Sequence, residues 1–189
     1  MLCSGIGLII LAPVLLLIML VILLDSPGPI FFRQQRVGQY QRRFWIHKFR
    51  TMTHAAPGLK ITVGRDPRIT RVGQWLRKSK LDELPQLFDV LRGKMSLVGP
   101  RPEVPEYVKY YPDEIKGIIF RVKPGITDWA SIKMIDESAI LAQAVNPEQA
   151  YVEQILPLKL AAAVKYVATR TLWLDSYLIV VTLAKIFRR

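Results

Sequence analysis

Residues Ile6 to Leu24 form 19 consecutive positions with no charged or strongly polar side chain. Wound as a helix at ~1.5 Å per residue, the run reaches about 28 Å, close to the thickness of a bilayer core. Pro13 sits near its middle, where a proline removes one hydrogen bond, clashes with the preceding turn and predicts a bend. Two arrangements suit such a segment: a kinked spanning helix, or a re-entrant helix-break-helix that enters and leaves on one face. No Lys or Arg precedes the run, it exceeds a signal-peptide core, and no small-residue cleavage site follows, so the segment is expected to persist. Cys3 lies too near the start for a lipoprotein anchor. Every Lys and Arg lies C-terminal to the run, which predicts a cytoplasmic location for the rest.

Beyond the turn cluster Asp25-Ser26-Pro27-Gly28-Pro29 the pattern changes. Ile30–Arg36 and Phe44–Met52 read as two short strands, and Val37-Gly38-Gln39-Tyr40 between them predicts a hairpin. Leu84, Leu87, Phe88 and Leu91 recur at helical spacing and predict a helix that buries this stripe, starting close to Asp82 and stopped by Gly93. Lys123-Pro124-Gly125-Ile126-Thr127 reads as a turn. Leu156–Tyr166 and Leu172–Phe187 predict C-terminal helices. Leu172, Trp173, Tyr177 and Phe187 suit a helix in the headgroup region, although packing on the domain's own core fits the same pattern.

Charge sharpens the picture. The 189 residues are 51% hydrophobic yet carry 27 Lys+Arg against 15 Asp+Glu, a net charge of +12. This much apolar surface excludes intrinsic disorder, and one cysteine excludes a disulfide scaffold or a cysteine-based zinc site. From Arg33 to Lys80 there are 13 Lys or Arg and one acid, Asp66, so the whole net charge resides there. Around Ile69, Val72, Trp75 and Leu76 stand Arg65, Arg68, Arg71 and Arg77. A solvated basic helix would look like this; next to an apolar segment, an interface with lipid phosphates or a polyanionic substrate is the better reading. No helix-turn-helix, zinc finger or RNP-type aromatic run points to nucleic acid.

Dinucleotide, P-loop, H-E-x-x-H and G-x-S-x-G motifs are absent. His47 and His54 have no obvious carboxylate or serine partner, and His47 in a strand reads as structural. The strongest candidate is Leu81-Asp82-Glu83-Leu84-Pro85-Gln86-Leu87. Pro85 is comfortable only in a first turn, which makes Asp82 a helix N-cap and Glu83 a first-turn acid. The same geometry suits a nucleophile: an ionised Asp attacking phosphorus gives an acyl phosphate, with upstream arginines neutralising the incoming anion and a divalent metal bridging the oxygens. In Gly99-Pro100-Arg101-Pro102-Glu103, two prolines fix the backbone around one guanidinium, which serves either a rigid turn or an aimed phosphate contact.

These segments, in this order, resemble the bacterial sugar transferases, the monotopic phosphoglycosyl transferases. The likeness takes in the apolar segment with Pro13, Phe32-Arg33-Gln34-Gln35-Arg36-Val37-Gly38, Lys48-Phe49-Arg50-Thr51-Met52 and Asp66-Pro67-Arg68-Ile69-Thr70. It continues through the Leu81–Leu87 run, Met95-Ser96-Leu97-Val98-Gly99-Pro100-Arg101-Pro102 and Pro124-Gly125-Ile126-Thr127. The resemblance implies an α+β monotopic membrane enzyme: a re-entrant helix-break-helix over residues 1–24, broken at Pro13, and a cytoplasmic catalytic domain over 25–189. That domain would hold a small β-hairpin and several amphipathic interfacial helices. The implied reaction moves a sugar-1-phosphate from a UDP-sugar to undecaprenyl phosphate and releases UMP. It would run at the cytoplasmic face of the bacterial inner membrane and begin a glycoconjugate.

By position, Asp82 would be the nucleophile and Glu83 its partner, both with Mg²⁺, while Arg77, Arg101 and Lys48 would serve the substrate phosphates. The implied partners are the UDP-sugar, undecaprenyl phosphate and lipids of the cytoplasmic leaflet, not nucleic acid; a homodimer is left open. The pattern departs at three places. The short basic stretch that commonly precedes the apolar segment is not seen before Ile6. Asp128 to Lys133 replace a Gly and Gln, placing Asp128 and Ser131 there. Ala163 stands where many members carry an Asp. Two other readings remain: a basic single-pass anchor without catalysis, and a phosphohydrolase with water as acceptor.

Overall fold

The computed structural model describes residues 2–53, 64, 66–133 and 137–187. His54, Arg65, Arg188 and Arg189 fall outside the described residues. Helix α1 (Leu2–Asp25) runs through Pro13 as one element, which corrects the expected helix-break-helix: a proline removes a single hydrogen bond, and the helix continues past it. It is followed by β1 (Phe31–Val37) and β2 (Arg43–Phe49), then α2 (Arg71–Lys78) and α3 (Gln86–Leu91). Strand β3 (Ser96–Val98) leads to α4 (Pro105–Val108) and α5 (Asp113–Ile119), and β4 (Gly125–Thr127) to α6 (Trp129–Lys133) and α7 (Glu137–Ala142). Finally α8 (Pro147–Ala150) continues through a wide turn, Tyr151–Ile155, into α9 (Leu156–Thr169), and α10 (Leu172–Phe187) closes the chain. The architecture is mixed helix and strand, as expected from the sequence.

The expected hairpin is present: β1 and β2 pair antiparallel, Phe31 with Phe49 through Val37 with Arg43. Its connection is a 3₁₀ turn, Gln39–Gln41, where Tyr40 and Gln41 take positive φ. The Tyr40 N–H donates to the Phe120 carbonyl at 2.8 Å, which holds that strained turn in place.

Two further expectations are corrected. Gly125–Thr127 is a strand, not a turn: β4 pairs parallel with β3. The reason is a backbone-to-backbone approach that only glycine permits, since a Cβ on Gly125 would stand 2.1 Å from the Gly99 nitrogen. Nor does a helix begin at Asp82. Leu81–Glu83 form a 3₁₀ turn, and α3 starts at Gln86. The stripe expected to be buried is partly exposed, at Phe88 and Leu91, whereas α3 buries Gln86, Asp89 and Val90, the last against Phe44 and Ile46 of the hairpin. Local periodicity describes a helix face but not which neighbour covers it.

Leu87 and Leu91 instead meet α1: a Cβ on Gly7 or Gly5 would lie 3.9 or 3.7 Å from their side chains. Toward its other end α1 places Leu15, Ile18 and Ile22 in one cluster with Phe49 and Leu76. Both ends of α1 thus rest on the same body. Its opposite face exposes Ile9, Ile10, Leu16, Leu17, Leu20 and Leu24. A second apolar face lies on α10, where Leu172, Trp173 and Tyr177 are exposed while Leu178 packs with Val98 and Tyr166. The main core lies between β1, α4, α5 and the α8–α9 unit, around Tyr107, Tyr151, Ile155 and Leu160.

Candidate active site

Thr70 opens α2, its hydroxyl accepting from the Gly73 N–H at 2.9 Å. After α2 the chain must reverse. Lys80 does this in the left-handed region (φ 58°), an unfavourable conformation for a residue with a Cβ. The turn that follows delivers Asp82 and Glu83 side by side, both buried. Among the described residues the Asp82 side chain caps no helix.

Strand β2 brings Lys48 to this turn, and its ammonium donates to Glu83 Oε1 at 2.7 Å. Arg101 completes the cluster with a fork on the same carboxylate: one nitrogen donates to Oε2 at 3.2 Å and the other to Oε1. The Arg101 turn is fastened on both sides. The Gly125 N–H donates to the Pro100 carbonyl and the Gly99 N–H to the Thr127 carbonyl, each at 3.0 Å. On the far side Arg36 donates to the Pro102 carbonyl and to Glu103 Oε1, each at 3.1 Å.

The electrostatics follow from this packing. Burial disfavours the charged form of Glu83, but the Arg101 and Lys48 charges and the Arg101 hydrogen bonds outweigh it, holding the carboxyl well below the usual range. Asp82 goes the other way: burial raises its pKa, with Lys48 opposing and Glu83 reinforcing. Among the described residues no side chain or N–H hydrogen-bonds the Asp82 carboxylate. Burial lowers the Lys48 pKa, with Glu83 opposing. Arg77 lies near enough for its charge to act on Asp82, and its Nε donates to the Thr51 hydroxyl at 2.9 Å.

Four expected residues, Lys48, Asp82, Glu83 and Arg101, therefore meet, with Arg77 on the Asp82 side. Pro13 lies exposed in α1, apart from this cluster. Asp128 accepts from the Ser131 N–H and, at 2.8 Å, from its hydroxyl, capping α6, and its charge also acts on Arg101. A cleft beside Arg101 is lined by Glu103, Asp128, Trp129, Lys159 and Ala163.

His47 has a partner that the sequence did not reveal: Asp89, which accepts from its ring Nδ1 at 2.7 Å and from its backbone N–H at 2.9 Å. This correction has a simple cause, since residues 42 positions apart share no local pattern. Arg36, Glu103 and Thr51 were not assigned as supports, although all three stand inside the quoted segments.

The sequence model of the bacterial sugar transferase family matches residues 1–189. The chain is 39% identical over 179 residues to the UDP-glucose:undecaprenyl-phosphate glucose-1-phosphate transferase of Xanthomonas campestris pv. campestris, covering 92% of this chain and 35% of that protein. It is 39% identical over 188 residues to the undecaprenyl-phosphate glucose phosphotransferase of Komagataeibacter xylinus, covering 95% and 33%. With the UDP-N-acetylgalactosamine-undecaprenyl-phosphate N-acetylgalactosaminephosphotransferase of Aeromonas hydrophila it shares 45% identity over 125 residues, 64% of this chain and 30% of that one. The chain spans about a third of the length of these relatives.

Proposed function

The chain belongs to the bacterial sugar transferase family, and on that premise we propose that it moves a sugar-1-phosphate from a UDP-sugar to undecaprenyl phosphate, releasing UMP. The observation that carries this reading is the Asp82 carboxylate. It is buried, has no hydrogen-bond partner among the described residues, and adjoins a glutamate fixed by two cations. A carboxylate left unpaired in such a place suits a nucleophile better than a structural anion.

In the first step an Asp82 oxygen attacks the phosphorus that carries the sugar. The bond from that phosphorus to its bridging oxygen breaks, and UMP leaves with the electron pair. In the second step an oxygen of undecaprenyl phosphate attacks the same phosphorus. The acyl–phosphate bond breaks, Asp82 is restored as a carboxylate, and the lipid carries a diphosphate-linked sugar. Burial that raises the Asp82 pKa also leaves its ionised form less solvated and more basic, which favours attack. Lys48 and Arg101 keep Glu83 ionised and immobile beside it, and Arg77 would hold a phosphate on the Asp82 side.

Mg²⁺ takes hard oxygen donors, commonly one or two carboxylates together with substrate phosphates. Asp82 offers a carboxylate without a protein partner among the described residues, so with the donor diphosphate the residues fit this ion. The oxygens of Glu83 already receive Lys48 and Arg101, so Glu83 would act on the ion through its field. When bound, Mg²⁺ would neutralise charge on the diphosphate. The cleft beside Arg101, with Trp129 and the polar groups of Glu103, Asp128 and Lys159, suits a hydroxyl-rich ring or a base.

The apolar outer faces of α1 and α10 support a monotopic seat on the cytoplasmic leaflet of the inner membrane, where lipid acceptor and soluble donor meet. Contact of both α1 ends with one body favours an unbroken α1 that keeps both ends on one side of the bilayer over a spanning one. The test is UMP release by the protein in lipid vesicles with Mg²⁺ and a panel of UDP-sugars, with and without undecaprenyl phosphate. Lipid-dependent release with one sugar is expected, reduced about a thousand-fold or more in Asp82→Asn. Unchanged release in that variant overturns the nucleophile. Release without lipid would make water the acceptor, and no release with any sugar would leave a basic membrane anchor.

A further inference from the structure

We infer that Arg50 is a positioning residue through which the seating of α1 sets the Lys48–Glu83–Arg101 cluster; its catalytic consequence rests on the reaction proposed above. Arg50 is a buried cation, 5% exposed, and makes no ion pair among the described residues. One of its terminal nitrogens donates to the Ile22 carbonyl at 3.2 Å, the Ser26 carbonyl at 2.5 Å and the Ser26 hydroxyl at 3.0 Å. Its other two nitrogens are buried without a partner among the described residues. All the pairing of this side chain is therefore directed at the end of α1, where the last-turn carbonyls and the negative end of the helix dipole favour a cation.

The residues around Arg50 explain why that contact reaches the site. Two positions before it, Lys48 holds Glu83. Phe49, 1% exposed, packs in one cluster with Ile18 and Ile22 of α1 and Leu76 of α2. One position after it, the Thr51 hydroxyl receives Arg77. The segment has no slack: the Arg50 N–H donates to the Ile30 carbonyl at 2.8 Å, and the Thr51 carbonyl accepts from the Thr70 N–H at 3.0 Å. A Cβ on Gly73 would stand 2.1 Å from that same Thr51 carbonyl oxygen. Close-packed segments pass a displacement on rather than absorb it. A shift of the last turn of α1 thus moves Lys48 and Thr51 together, and with them the groups that flank Asp82.

The experiment uses the full chain in phosphatidylglycerol-containing vesicles. Arg50→Gln is expected to lower kcat about ten-fold while KM for the UDP-sugar changes less than about two-fold, and Arg50→Lys to recover most of the loss. In a Lys48→Gln background the further effect of Arg50→Gln is expected to fall below about two-fold, because the two act in series. An equal loss in both backgrounds, or none in either, overturns the inference. A second readout does not depend on turnover: hydrogen exchange in Arg50→Gln should accelerate over residues 44–53 and 80–84 as well as 20–27. Exchange that changes only over 20–27 overturns the coupling, even where the wild-type chain releases no UMP and the reaction itself is refuted.

Discussion

Glu83 is the most constrained side chain of the site, with Lys48 on one oxygen and the Arg101 fork across both. Neutralising it leaves two largely buried cations without their counter-charge, which typically costs about 3–5 kcal/mol. Glu83→Gln is therefore expected to lower unfolding stability by about that amount in a denaturant titration, and one unchanged within error would show that the cluster is looser than drawn. The pH dependence has a definite sign. The Glu83 pKa in the fold lies below its ordinary 4.5, so its stabilisation is complete above that value and is lost as pH falls through the lower folded value. Wild-type stability should thus decline below about pH 4.5, and Glu83→Gln should flatten that limb. Asp82 has the opposite sign: its raised pKa means that ionisation opposes folding as pH rises from 3.8 through the folded value. Asp82→Asn should then keep or raise the midpoint of thermal unfolding at neutral pH while abolishing turnover.

At the scale of elements, the short β3–β4 pair places Arg101. Gly99 and Gly125 press backbone on backbone, and the bonds from Gly125 to Pro100 and from Gly99 to Thr127 fix the start of the arginine turn. Gly125→Ala puts a methyl group 2.1 Å from the Gly99 nitrogen, so the strands must part. A loss of about 3 kcal/mol or more is expected, together with loss of the Arg101–Glu83 fork and of activity. Near-wild-type stability and turnover in that variant would contradict this role of β4. The hairpin carries Lys48 by a different principle, since alternation along β2 sends Phe44 and Ile46 into the core on the face that also bears Lys48.

For the whole molecule, the telling feature is where the apolar surface lies. The outer face of α1 and the exposed face of α10 are apolar, while the inner face of α1 packs on α2, α3 and β2. A helix resting on one body near both ends is expected to keep both ends on one side of a bilayer. In a Cys3→Ser background, Leu2→Cys should resist an impermeant thiol reagent added outside intact cells. Labelling from outside would show that α1 crosses the membrane.

Composition and pattern determined much by themselves. The 19-residue apolar run, the hairpin and the helical C-terminal third were legible because each is written in neighbouring positions, whereas the five candidate site residues, spread from Lys48 to Arg101, were joined only by the family resemblance. Short-range signals of this kind report local backbone preference and residue chemistry. Tertiary structure decided the rest. Asp82 stands on a 3₁₀ turn instead of capping a helix, Gly125 belongs to a strand, and Leu87 and Leu91 meet α1. It also decided that Asp89 finds His47, and that Arg50 closes the end of α1. Each of these depends on partners tens of positions away, and the opposite protonation tendencies of Asp82 and Glu83 arise only from the burial and cations that folding brings to them.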